Sequence, residues 1–185
     1  TVDYFIENSG DIKVTASIKI NDEKTAEMPR FGMRMVLNEA YDQLQYYGRG
    51  PLENYSDRKE AAFFGTYEDD VKNQFTWTYI RPQESGYHTD TRWLSLANES
   101  GKGLKVIGAQ PLGFSALHVS TEDLDPGMSK DQKHPTDITV EDEVFLHIDL
   151  KQRGLGGLNS WGQYPFREYR LEDKEYTYTY TLSLF

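Results

Sequence analysis

The chain has 185 residues, enough for one full domain with a packed core and too few for two comfortable ones. Lys and Arg total 20 against 30 Asp and Glu, a formal net charge of −10 that repels a phosphate backbone, so no nucleic-acid partner is expected. With no cysteine there is no disulfide, thiolate metal site or cysteine nucleophile, and no apolar run approaches a membrane span, so no membrane partner is expected either.

The aromatic fraction is 14%, with 13 Tyr, 9 Phe and 3 Trp, which favours a core built from aromatic side chains on sheets. The opening TVDYFIENSG has no initiator Met and reads as the middle of a hairpin-like pattern, as if cut from something longer. Ile12, Val14, Ala16, Ile18 and Ile20 alternate with polar residues, and Phe31, Met33, Met35 and Leu37 repeat the pattern after a polar turn at 21–24. The two segments are expected to pair as a hairpin with one buried face. A short helix is predicted over 56–64 and one helical turn over 120–124. Strands are predicted over 77–81, 92–97, 104–109, 114–119 and 144–150, each bounded by Gly, Pro, Asn or Ser. The stretch 121–143 is charged and carries proline, and reads as an excursion over the surface. The clearest strand is the last, where Tyr176, Tyr178, Tyr180, Leu182 and Leu184 face one way and Thr177, Thr179, Thr181 and Ser183 the other. The fold class is therefore all-β, an antiparallel sandwich with long connections, with residues 1–185 forming a single domain.

Most conventional chemistry fails to find its residues. The glycine-rich run GLGGLNSWG (154–162) is not a phosphate cradle, because Tyr164-Pro165 follows where a helix would have to begin. The histidines 88, 118, 134 and 147 lack ligand spacing and read as satisfied structural or surface groups, with His147 on the outer face of its strand, so no metal site is expected. No pair among 30 acids can be singled out for glycoside hydrolysis. Two segments do stand out. In YYGRGPLENYSDR (46–58) the glycines and Pro51 force an irregular turn after a strand, and the dense polar set reads as a staple in which Arg49 or Arg58 pairs with a local carboxylate. In the glycine-rich run, Trp161 follows Asn159 and Ser160. An indole there either folds back as a lid on the core or offers a flat apolar face to an arriving sugar, whose C–H face is apolar and whose rim hydroxyls suit Asn159 and Ser160.

Four stretches in order, YYGRGPLENYSDR, RPQESGYHTDTRWLSL, FSALHVSTEDL and HIDLKQRGLGGLNSWG, resemble the C-terminal small domain of the large lacZ-type bacterial β-galactosidases of glycoside hydrolase family 2. The resemblance covers essentially the whole chain. It implies an antiparallel β-supersandwich of the galactose-mutarotase-like kind, truncated on its N-terminal side. It implies the last of five domains in an enzyme that hydrolyses terminal β-D-galactosyl residues, with the parent a homo-oligomer. Trp161 matches the tryptophan that stacks on the sugar in that family, with Asn159 and Ser160 as weaker substrate contacts; the family often carries an acidic residue where this chain has Asn159. The catalytic glutamates belong to a TIM barrel absent here, so no residue of the chain inherits a catalytic role. No cofactor is expected in the fragment, and the magnesium and sodium of the parent are expected in its other domains. The partners implied are those other domains and a galactoside, in the cytoplasm or periplasm. Two rivals differ in what they require. A free-standing aldose 1-epimerase needs a histidine acid and a carboxylate base converging on the sugar, and a carbohydrate-binding module needs Trp161 to bind sugar unaided.

Overall fold

The computed structural model describes residues 1–22, 24–125, 127–128, 133–156 and 162–185. Among them nine strands occur, every pairing is antiparallel, and the only α-helix is a single turn, α1 (Thr121–Leu124). The strands are β1 (Val2–Ile6), β2 (Ile12–Lys19), β3 (Arg30–Leu37), β4 (Gln43–Gly50), β5 (Phe63–Asp70), β6 (His88–Ala97), β7 (Gly103–Leu117), β8 (Val144–Gln152) and β9 (Glu175–Leu184). The all-β class expected from the alternation is the observed one.

The main path runs β1-β2-β9-β7-β6-β4-β5, while β8 leaves it by pairing with the second half of β7 and carries β3 on its other side. Inward residues of the two parts meet in one core that contains Val14, Leu94, Leu96, Val106, Phe114, Leu146, Ile148, Tyr178 and Tyr180. Two tyrosines of β9 tie the layers together: the Tyr178 hydroxyl donates to the Ile148 carbonyl at 2.9 Å, and that of Tyr180 to Met33 Sδ at 3.2 Å. Buried phenols need such partners, which is why the alternating tyrosines of β9 lie under β3 and β8 and not under water.

Several sequence expectations are corrected. β2 and β3 are both strands but not a hairpin: β2 pairs with β1 and β9, and β3 with β8. The connection between them makes a bridge from Met28 to Leu171, which carries the chain to the other part of the sandwich. The two strands predicted over 104–109 and 114–119 are one, β7. Pro111 cannot donate to a ladder, and the side chain of Gln110 stands in, its amide donating to the Thr179 carbonyl and its oxygen accepting from Thr179 N. Residues 77–81 form no strand; Trp77 packs edge-on against Phe75 at 4.5 Å, and the Tyr79 hydroxyl turns to Glu53. The helix predicted over 56–64 is instead a pair of turns leading into β5.

Candidate functional site

The segment 46–58 leaves β4 and folds over one end of β6. Asn54 is buried and uses all its hydrogen-bonding capacity: its amide donates to the carbonyls of Arg49 and Leu52, and its oxygen accepts from Thr89 N and Thr89 Oγ1. Arg58 pairs with Glu53 at 2.7 Å, the local ion pair anticipated for this staple, whereas Arg49 reaches out of the segment to Asp90 at 2.8 Å. Burial alone would raise the Glu53 pKa. Hydrogen bonds from Tyr79, Gly86 N, Thr76 and Arg58 outweigh burial and hold it below its usual value. His88, just beyond, is a core histidine: its Nε2 lies 2.8 Å from Gln74 Oε1, its Nδ1 lies 3.1 Å from the Tyr46 hydroxyl and 3.2 Å from the Arg49 carbonyl, and burial lowers its pKa to about 4.

At the tip of this staple, Tyr55 and Arg58 exchange backbone hydrogen bonds of 3.1 and 2.9 Å, so Ser56 and Asp57 form a tight turn. The Tyr55 ring stacks on Tyr87 with centroids 5.7 Å apart, which seats the turn on the core. Asp57 projects from it onto the stem of the glycine-rich run. Its Oδ1 accepts from Leu155 N at 3.1 Å and its Oδ2 from Gly156 N at 2.6 Å. A Cβ on Gly154 or Gly156 would lie 2.6 or 2.8 Å from Asp57 Oδ2, so these two glycines permit the approach. The returning stem is also held. Arg153 and Arg170 each stand 5.0 Å from the centre of the Tyr164 ring, and Arg170 Nε donates to the Pro165 carbonyl at 2.7 Å. Trp161, Asn159 and Ser160 lie outside the described residues.

A cleft of about 360 Å³ opens beside the stem, lined by Ser56, Tyr87, Thr89, Asp90 and Tyr169 among others. Behind it, on the outer face of β3 and β8, sits a buried polar cluster. Asp149 has no solvent access and lies against the bare backbone of Gly32 in the facing strand. Arg30 Nε approaches Asp149 Oδ2 at 2.9 Å, and its Nη2 reaches Glu84 at 3.2 Å and Gln152 at 2.8 Å. Its Nη1 donates to His147 Nδ1 at 2.9 Å. The Asp149 ion pair lies off the axis of a good hydrogen bond, so burial dominates over Arg30 and pushes the Asp149 pKa up to about 7. Burial, then the positive charges of Arg30 and Arg34, lower His147 to about 4. Among the described residues no three His, Asp or Glu side chains converge as metal ligands.

Neither the Asp57 clasp nor the buried cluster emerges from sequence reasoning. The available signals were the alternate glycines 154 and 156, and an aspartate at position 149 opposite nothing larger than a glycine.

Among the described residues the chain is an all-β domain in which the segments 153–156 and 164–170 are each held in place beside a cleft. The chain belongs to the β-galactosidase small chain family, whose model matches residues 1–182. It is similar to a β-galactosidase of Priestia megaterium (36% identical over 182 residues, 98% of this chain and 17% of that protein). It is also similar to those of Pseudoalteromonas haloplanktis (35% over 181 residues, 97% of this chain and 16% of that protein) and Staphylococcus xylosus (30% over 182 residues, 98% and 17%). The chain thus spans 16–17% of the length of these curated relatives.

Proposed function

We propose that residues 1–185 act as the C-terminal small domain, the last of five, of a β-galactosidase of glycoside hydrolase family 2, which hydrolyses terminal β-D-galactosyl residues. The observation that carries this reading is the family match over 1–182 together with relatives named β-galactosidase that are about six times as long. In it the domain supplies Trp161 as an aromatic platform for the galactosyl ring, with Asn159 and Ser160 as secondary polar contacts. The nucleophile and acid come from a TIM barrel elsewhere in the protein, and the magnesium and sodium ions belong to its other domains.

The acids near the cleft support an accessory and not a catalytic role. A retaining glycosidase needs two carboxyl groups about 5–5.5 Å apart and open to substrate. Of the two acids among the described residues that line the cleft, Asp90 is held by Arg49 and Lys59, so Glu168 has no free carboxyl partner there; nearby, Glu53 is occupied by four donors and Asp149 is sealed from solvent. The clamped stems support presentation, since a stacking contact helps only if its backbone is fixed beforehand.

The test is to assay the 185-residue chain alone against the full-length protein. The full-length protein is expected to hydrolyse a nitrophenyl β-D-galactoside. The isolated chain is expected to show no hydrolysis, no acceleration of galactose mutarotation and no millimolar galactose affinity by calorimetry, because most of the pocket is contributed from outside it. Hydrolysis or mutarotation by the isolated chain would overturn the accessory reading, and sugar binding by it would convert the domain into a self-sufficient carbohydrate-binding module.

A further inference from the structure

We propose that residues 77–84 form a pH-released strap: Glu84 latches it to Arg30, and the latch opens as pH rises because Asp149 and Glu84 compete for the same guanidinium. The device acts within this domain and requires nothing of the substrate contact proposed above.

Side chains, not backbone, hold this segment. Among the described residues, 80–84 make no backbone-to-backbone hydrogen bond. Trp77 packs edge-on against Phe75 at one end, and the Tyr79 hydroxyl donates to Glu53 in the middle. Glu84 closes the other end, accepting from Arg30 Nη2 at 3.2 Å and from the Gln152 amide. Between these anchors Ile80 is 85% exposed, while Pro82 is buried. Pro82 and Glu84 belong to one wall of a cavity of about 660 Å³ whose far side is apolar, with Leu117, Val119 and Phe145. A segment with so few backbone bonds opens at a lower cost than the sheet beneath it, so its ionic anchor decides how often it does.

That anchor is contested. Arg30 Nε stands 2.9 Å from Asp149 Oδ2 while its Nη2 holds Glu84, so one positive charge serves two carboxyl groups. The surrounding groups do not correct the imbalance. His147 of β8, with its pKa lowered to about 4, is neutral near pH 7, and Arg34 of β3 is paired with Glu122. Tyr87 and Tyr55 are phenols that burial keeps protonated, Glu53 adds negative charge, and Gly113 of β7, opposite Asp149, has no side chain. Burial pushes the Asp149 pKa up to about 7 and raises that of Glu84 as well, in each case against the pull of Arg30. Both shifts have the same sign, so the closed strap holds protons that the open one releases: closure is favoured below about 7 and weakens as pH rises through it. With both groups ionised the cluster carries one excess buried negative charge. The Asp149 side chain is 0% exposed and its strand is paired on both sides, so it stays; that of Glu84 is 30% exposed and rides on the strap, so it is the carboxylate that leaves for water.

Native-state proteolysis of the full-length protein tests this, because cleavage of a transiently opened segment tracks the population of the open form. Chymotrypsin cleavage after Trp77 and Tyr79 is followed by fragment mass at pH 6 and pH 8.5. Each rate is divided by that of a free peptide spanning 74–86 at the same pH, which removes the pH dependence of the protease. The parent sequence is expected to be cleaved about three- to tenfold faster at pH 8.5 after this correction, tenfold being the ceiling for one group that titrates at about 7. Asp149→Asn leaves Glu84 without a charged competitor for Arg30, and is expected to hold cleavage at the slow level with less than about twofold difference between the two pH values. Glu84→Gln keeps an acceptor for Arg30 without the second negative charge, and is expected to reduce the rise; it serves if the Asp149 variant does not fold. Equal corrected rates at the two pH values in the parent sequence overturn the strap. So does a rise left undiminished by either variant that folds.

Discussion

Arg30→Met is expected to destabilise the chain by about 3–5 kcal/mol near pH 8, and by clearly less near pH 5. Among the described residues the guanidinium is the cation that faces a fully buried carboxyl group, Asp149, and it also meets Glu84, Gln152 and His147. Methionine fills much of the same volume, so the loss is that of the charge and its hydrogen bonds, not of packing. The sign of the pH dependence follows from the shifts. Asp149 titrates at about 7 in the folded chain against 3.8 in a free carboxyl group, so between those values the folded state holds a proton that the unfolded state releases. The stability this group contributes is present in full below about 4 and is lost as pH rises through 7. Near pH 8 the variant must either bury an unpaired anion or keep a proton at a cost, whereas near pH 5 Asp149 is already neutral and Arg30 matters less. His147 moves in the same direction, since removal of the Arg30 charge relieves one cause of its lowered pKa. Urea unfolding of both sequences at the two pH values checks this; an equal loss at both would mean that Arg30 acts through packing and not through charge.

Gly32→Ala is expected to cost about 3 kcal/mol, although it adds one methyl group at a position that is itself exposed. The new Cβ would fall 1.8 Å from Asp149 Oδ1 and 2.8 Å from Asp149 Cα, so the facing strand itself would have to shift, next to a bulge between Phe31 and Gly32. The buried carboxyl group occupies the space that a side chain at 32 would need. Gly101 gives the internal comparison. Nothing lies within 4 Å of its Cβ position, but its φ is +76°, so Gly101→Ala tests backbone strain alone at about 1 kcal/mol. Urea midpoints for the two variants should differ severalfold in their displacement, and a Gly101 effect as large as that at Gly32 would contradict the account of how Asp149 is accommodated.

What could be read in the sequence and what could not divide along a physical line. Alternation specifies which way a residue faces, so β2, β3 and β9 were visible as strands and Tyr176, Tyr178 and Tyr180 as an inward row. Alternation does not specify a neighbour, so the expected β2–β3 hairpin gave way to pairings set by the Met28–Leu171 bridge and the course of β8. Pro111 suggested a break because backbone rules count only backbone donors, whereas the Gln110 side chain completes the ladder. The aromatic run 77–81 looked like a strand because its hydrophobicity was visible and the demand of Glu53 for the Tyr79 hydroxyl was not. The pairing of Arg49 with Asp90, 41 residues on, was not legible; the staple character of 46–58 was, through Arg58 and Glu53, which are five residues apart. Its grip on the glycine-rich run was not, because Asp57 and Gly156 are 99 residues apart and only the fold brings them together.

The proposed contact of this domain with substrate rests on the indole at position 161. The most direct measurement is the effect of Trp161→Ala on β-galactoside hydrolysis by the full-length protein, with kcat and KM determined separately and the thermal midpoint recorded. Loss of a stacking aromatic worth roughly 1–3 kcal/mol is expected to lower kcat/KM by about one to two orders of magnitude while the midpoint holds. Unchanged kinetics with a lowered midpoint would contradict it, making Trp161 a lid on the core and the domain a scaffold.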